Sequence, residues 1–180
     1  VMPPKFGTSG LRGLVTELSD DLVADYTRAF LTSCPNGGRV YVGWDLRPSS
    51  EGIAEAVIAA ARGQGITPIR ARMLPTPALA LASMSSGAAA IMVTGSHIPA
   101  DRNGLKFYLP GGEVSKDDEL AINAALGQAV GTATAAEQAE PGIAASYVNR
   151  YVSAFGPTAL FGLRIGVYEH SSAARDFLTE

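Results

Sequence analysis

RVYVGWDLRPSSEGIAEAVIAAARGQGITPIRARM, residues 39–73, decides the fold class. Its first part, RVYVGWD (39–45), is β-branched and aromatic and predicts a strand. In SSEGIAEAVIAAARGQG (49–65), Ile53, Ala56, Val57, Ala60 and Ala61 recur at helical spacing, Ser49 or Ser50 can cap the start, and Gly63 or Gly65 can end it. TPIRARM (67–73) predicts a second strand. Strand, helix and strand in that order make a βαβ unit, whose strands are parallel and whose crossover is right-handed. The pattern continues with PTPALALASMSS (75–86), a helix with proline near its first turn, and GAAAIMVTGS (87–96), a buried strand running into a loop. An α/β layered domain follows.

Upstream, SDDLVADYTRAFLTSC (19–34) has Leu22, Tyr26, Ala29 and Phe30 on one face and acidic residues at its start, which predicts a helix. Downstream, GLKFYLP (104–110) alternates like a strand, and SKDDELAINAAL (115–126) begins with a capping serine, Ser115. VGTATAAEQAEPG (130–142) reads as a surface connection. IAASYVNRYVSAFG (143–156) predicts a helix, and GLRIGVYEHSSAARDFLTE (162–180) a strand, a loop and the start of another helix. One such βα unit cannot bury its own faces, so residues 1–142 are expected to form one domain and 143–180 a connecting helix and the truncated opening of a second α/β domain.

Composition narrows the function. With 47% hydrophobic and 17% charged residues, the 180-residue chain can bury one sizeable core. A net charge of −3 and the lack of any Lys/Arg run exclude an electrostatic footprint for nucleic acid or an anionic membrane; a small neutral or anionic ligand fits better. No apolar stretch reaches the roughly 18 residues a bilayer requires, and the start lacks the plan of a signal peptide, so a soluble, cytoplasmic protein is expected. Cys34, the one cysteine, excludes an intrachain disulfide and a cysteine-based zinc cluster and reads as a small buried hydrophobe.

Two segments can carry chemistry. MVTGSHIPADRNGLKFY (92–108) delivers Ser96 from a strand into a small-residue loop, beside His97 and within ten residues of Arg102, Asn103 and Lys106. A serine in such a loop is ordinarily a turn residue. Cationic neighbours are what a phosphate carrier needs, because they offset the charge that moves during transfer. KFGTSGLRG (5–13) has Gly7, Gly10 and Gly13 spaced so that backbone amides could approach an anion, with the hydroxyls of Thr8 and Ser9 and the guanidinium of Arg12 at hand. Together the loops could cradle phosphate. Asp45 and Arg47, two apart at a strand end, are expected to fix a loop through a local ion pair. GQGITP (63–68) follows a helix, which excludes a dinucleotide fingerprint; His170 is expected to cap a helix, and Trp44 to pack.

TGSHIPADRNGLK resembles the phosphoserine signature of the α-D-phosphohexomutases, FGTSGLRG resembles their N-terminal active-site loop, and VGWDLRPSS is similar to their G-x-D-x-R-x-S stretch. The three occur in the family's order, and the resemblance covers essentially the whole chain. Gly95 stands where alanine is common and Ile98 where asparagine is common. The resemblance implies a three-layer α/β/α domain with a mixed, mostly parallel sheet. It also implies that Ser96 is phosphorylated and supplies a phosphate oxygen to Mg²⁺, that His97 and Lys106 assist proton movement and charge stabilisation, and that Arg12 lies near the reacting sugar hydroxyl. Thr8, Ser9, Arg12 and Lys106 would bind phosphate. The expected substrate is a hexose 1- or 6-phosphate of mannose or glucose, interconverted through a bisphosphorylated sugar; the remaining domains of the same enzyme, including an aspartate-rich metal loop absent here, are the expected partners.

Two other readings stand beside this one. A serine hydrolase using Ser96 lacks the second glycine of G-x-S-x-G. A non-catalytic phosphosugar-binding domain would keep the anion site without turnover.

Overall fold

The computed structural model describes residues 4–7 and 10–179. In chain order the elements are β1 (Lys5–Phe6), β2 (Gly10–Leu14), α1 (Asp20–Ser33), β3 (Arg39–Trp44), α2 (Ser50–Gly63), β4 (Thr67–Met73), α3 (Thr76–Ser85), β5 (Ala89–Val93), β6 (Arg102–Leu109), β7 (Gly112–Glu113), α4 (Lys116–Ala124), β8 (Gln138–Ala139) and α5 (Ile143–Phe155). The sheet runs β1-β2-β6-β5-β3-β4-β8, with β7 folded back on β6. It is parallel through β5, β3, β4 and β8 and antiparallel at β6, β2 and β1.

Helices cover both faces. The alternation of β3 sends Val40, Val42 and Trp44 to one side, where they meet Phe30 of α1, Val57 of α2 and Ile122 of α4. Tyr41 points the other way, into a second core with Leu79 of α3 and Ile143 of α5. Ser19 caps α1 by accepting from the Leu22 amide at 3.3 Å, and Ser115 forms a capping box with Asp118 at the start of α4. After β3, α2 crosses one face to β4; after β4, α3 crosses the other face back to β5, on the far side of β3. Strand order therefore reverses between β3 and β5, the kind of position beyond which α/β sheets bind ligands.

The N-terminal glycines serve the sheet. Gly10 lies opposite Lys106 of β6, and a Cβ there would overlap the Leu105 carbonyl oxygen and stand 2.8 Å from its carbon. A Cβ on Gly13 would come 2.8 Å from Pro4 Cγ. The Gly7 amide donates to the Gly10 carbonyl at 2.6 Å. Lys5–Phe6 and Gly10–Leu14 thus pair as antiparallel strands, with Gly10 and Gly13 closely packed and the Gly7 amide already engaged.

Two further expectations need correction. The 130–142 connection contains β8, which adds to β4 as an edge strand. Glu137 there pairs with Arg70, and Tyr41 donates to Glu140 at 2.6 Å, so side chains fix a strand too short to leave a periodic signal. Residues 162–179 form turns and irregular chain instead of the expected strand and helix. The alternating Leu163, Ile165 and Val167 are exposed, with no described strand beside them to complete a ladder. His170 accordingly has no helix to cap.

Gly10→Ala is expected to lower stability by about 1–3 kcal/mol through overpacking, read as an earlier urea midpoint; an unchanged midpoint would show that β2 moves off β6 freely. The Tyr108 phenol is pushed up from 10.0 to about 12, first by burial and then by the Glu113 charge. An unfolded chain releases this proton near pH 10, so the folded state's advantage is intact below about pH 10 and is lost as pH rises towards 12. Tyr108→Phe is expected to make stability fall less steeply across that window, and equal slopes for the two proteins would contradict the assignment.

Candidate active site

The reversal of strand order is bridged by one carboxylate. The Asp45 amide, just past β3, donates to the Val93 carbonyl at 3.0 Å, and Thr94, just past β5, donates to the Gly104 carbonyl at 3.0 Å. Asp45 Oδ2 accepts from Thr94 Oγ1 at 2.8 Å and from the Gly95 amide at 3.0 Å. Its Oδ1 accepts from the Arg47 amide at 3.0 Å and from Ser50 Oγ at 2.5 Å. One side chain thus ties the ends of β3 and β5 to the start of α2, through the charge-assisted bonds that a carboxylate makes best.

Ser96 stands on this base. Its backbone is left-handed, with φ of +50°, which costs a non-glycine residue roughly 1–2 kcal/mol unless its surroundings hold it. Thr94 Oγ1, itself bonded to Asp45, accepts the Ser96 amide at 2.9 Å, and the Ile98 amide donates to the Gly95 carbonyl at 3.0 Å. The turn leaves Ser96 and His97 exposed, with Ser96 Oγ 3.2 Å from His97 Nδ1. Arg47 holds the rest of the loop. Its Nη1 donates to the Pro99 and Arg102 carbonyls at 2.7 and 3.0 Å, its Nη2 to the Ile98 carbonyl at 2.6 Å, and its Nε lies 3.6 Å from Asp45. The expected Asp45–Arg47 ion pair is present, and it fixes a loop.

Asn103, grouped by sequence with the cations around Ser96, is fully buried. Its Nδ2 donates to Ser49 and Ser50 Oγ, both at 2.9 Å, and its Oδ1 accepts the Gly104 amide at 2.8 Å. It braces β6 against the start of α2 and is closed to ligand. Ser50, Thr94 and Asn103 were not legible as a network, since each is an ordinary loop or strand residue until β3, β5 and β6 lie side by side.

Strand register brings the distant cations to the same place. Arg12 lies opposite Gly104, and Lys106 opposite Gly10 and Met92. Positions 104 and 106 share a face of β6, so Arg12 and Lys106 rise from the same side of the sheet. A Cβ on Gly104 would stand 3.2 Å from Arg12 Cγ, which places the arginine stem beside the strand that bonds Thr94. Lys5 lies directly across from Arg12. Among the described residues, none of these three cations forms an ion pair, so their charge is available to an anion. Thr8 and Ser9 lie outside the described residues.

Other candidates resolve as packing. Cys34 is buried, and burial pushes its thiol pKa up. Trp44 is buried, with the Arg70 guanidinium 5.9 Å from its ring centre. Among the described residues, no three His, Cys, Asp or Glu side chains gather to hold a metal, and no helix is long and apolar enough to cross a membrane. Asp45→Ala is expected to cost about 2–3 kcal/mol in urea unfolding, since Ser50 Oγ and the Gly95 amide lose their acceptor, with Asp45→Asn falling between it and the parent. A loss below about 0.5 kcal/mol would remove the carboxylate from its central place.

Residues 3–129 match the family model described as phosphoglucomutase/phosphomannomutase, alpha/beta/alpha domain I. A phosphomannomutase from Sinorhizobium fredii (strain NGR234) is 48% identical over 99% of this chain and 40% of its own length. One from Salmonella muenchen is 46% identical over 95% of this chain and 36% of its own length. The chain thus spans about two fifths of these relatives. The crystal structure of a phosphoglucomutase/phosphomannomutase family protein from Burkholderia thailandensis superposes with a TM-score of 0.70 and 27% identity, over 82% of this chain and 35% of that one. With matching order of motifs, matching fold and near-half identity to its relatives, the chain belongs to the phosphoglucomutase/phosphomannomutase family.

Proposed function

We propose that this chain is the phosphoserine-bearing part of a hexose-phosphate mutase that interconverts the 1- and 6-phosphates of mannose or glucose in the cytoplasm. The observation that carries the reading is Ser96: an exposed hydroxyl at the reversal of strand order, 3.2 Å from His97 Nδ1, on the loop after β5, whose neighbour β6 carries Lys106 and pairs with the β2 strand of Arg12; among the described residues neither cation forms an ion pair. In the transfer, the bond from Ser96 Oγ to phosphorus breaks as a sugar hydroxyl bonds to phosphorus. The hydroxyl gives up a proton, and the seryl oxygen gains one. His97 holds or returns a proton at Oγ, while Lys106 and Arg12 offset the phosphoryl charge. The bisphosphorylated sugar then returns its other phosphoryl group to Ser96, and the isomeric monophosphate leaves.

Mg²⁺, when bound, supplies charge neutralisation to the phosphoryl group. This chain would contribute one ligand, an oxygen of the phosphate on Ser96. A hard cation takes about six oxygens; Asp45, which bonds to the base of the serine loop, is already engaged by four donors, and among the described residues no three carboxylate, His or Cys side chains gather, so the other ligands are expected from further domains. A serine hydrolase is disfavoured because, among the described residues, no carboxylate orients His97.

In the complete enzyme, Ser96→Ala is expected to reduce turnover of mannose 1-phosphate or glucose 1-phosphate by about a thousandfold or more. The parent should carry about 80 Da of added mass at that serine, one phosphate, and should resist acylating serine probes. The 180 residues alone should show no turnover. Full activity of the Ser96→Ala enzyme, or acyl labelling of Ser96, would overturn the reading.

A further inference from the structure

We propose that the cavity at the carboxyl ends of β3 and β4 is a second ligand site, which takes a neutral hexose through Arg72, Glu51 and the indole N–H of Trp44. The inference goes beyond the preceding reading and needs nothing from Ser96.

β3 and β4 pair in parallel, but their register slips between Val42↔Arg70 and Gly43↔Arg72, which leaves Ala71 as an extra residue in β4. Arg72 follows the slip with a left-handed backbone, φ of +63°, at an exposed position. That conformation disfavours any residue with a Cβ, whereas glycine adopts it freely. A bulge of this kind re-aims a side chain, and strain kept at an exposed residue points to a use for that side chain. Here Arg72 joins Trp44, Glu51 of α2 and Arg70 around a cavity of about 200 Å³.

The four residues are not equivalent. Arg70 is committed: its Nε and Nη1 pair with Glu137 and Glu55, and its Nη2 donates to Glu55 Oε2 at 2.8 Å and to Glu137 Oε2 at 3.3 Å. Arg72 and Glu51 form no ion pair among the described residues, so a guanidinium and a carboxylate stay open on the walls. Trp44 is 7% exposed; its indole N–H meets no acceptor among the described residues and, unlike Arg28 Nε, is not closed off from solvent. A buried indole ordinarily finds a partner for that N–H.

Local charge decides the class of ligand. Two arginines stand against the carboxylates of Glu51, Glu55 and Glu137, so the cavity offers an anion no excess of positive charge. Hydroxyl groups suit it, because each can accept from Arg72 or the indole N–H and donate to Glu51. The adjacent hydroxyls of a pyranose present both roles side by side.

Trp44 is the single tryptophan of the chain, so one indole N–H resonance reports on the site. In the 180-residue chain, mannose or glucose should move that resonance saturably in the millimolar range, and inorganic phosphate at equal concentration should leave it in place. Glu51→Gln and Arg72→Gly should each weaken the half-saturation by about fivefold or more, as a hydrogen bond to the sugar is lost. Arg72→Gly should do so without lowering the urea midpoint, since glycine relieves the left-handed backbone. Ser96→Ala should respond as the parent does. A resonance that hexose leaves in place, a shift driven by phosphate, an unchanged half-saturation in either cavity variant, a lower midpoint for Arg72→Gly, or a response lost with Ser96→Ala would each overturn the proposal. The mutase reading is decided separately, by the mass of the parent after incubation with glucose 1,6-bisphosphate: an unphosphorylated Ser96 counts against it, while the hexose response at Trp44 still decides this inference.

Discussion

Four donors meeting on the carboxylate of Asp45 hold the working end of this domain together. Where strand order reverses, β3 leads into α2 and β5 into the serine loop, and past the bond from the Asp45 amide to Val93 the two chains part. The carboxylate joins them, one oxygen on the turn after β5 and the other on the start of α2. Each of these bonds is partly buried, where an unmet hydrogen bond is expensive. The left-handed serine, the loop held by Arg47 and the brace through Asn103 all build on that junction.

The site separates support from chemistry along a short piece of chain. Thr94 and Gly95 bond to Asp45 and Asn103 to Ser49 and Ser50, while Ser96 and His97 stand exposed. A rigid base beneath an exposed nucleophile lets a strained serine persist, because its surroundings over-determine its conformation. Arg12 arrives from another strand, and Lys5 pairs with it, so two of the three cations depend on the register between β2 and β6.

Much of the fold was readable because its signals are local. The β-branched and aromatic run of β3, the apolar run of β5 and period 3.6 in α1 and α2 each arise within one element, and the βαβ logic joins them. What escaped depends on distant partners. Gly10 looks like a turn glycine until Leu105 is found against it, and β8 is two residues held by Arg70 and Tyr41. The alternation of Leu163, Ile165 and Val167 promises a strand, but alternation makes a strand only beside another. At the site, proximity in sequence drew Ser96, His97 and Lys106 together, yet it also enlisted Asn103, whose amide is spent on Ser49 and the buried Ser50. Arg47 was legible as a loop anchor; which carbonyls it holds, those of Ile98, Pro99 and Arg102, needed three dimensions.

The pairing of residues 10–14 with residues 102–106 has a consequence for the order in which the molecule comes into being. On a growing chain, the parallel centre formed by β3, β4 and β5 can assemble from neighbouring units, whereas β2 waits with an open edge until β6 has been made. Such long-range pairing is slow and leaves strand edges open to wrong partners. Arg12 is made before β6 but takes its place only after β6 exists, so the serine loop is already on the chain when the cation settles opposite Gly104.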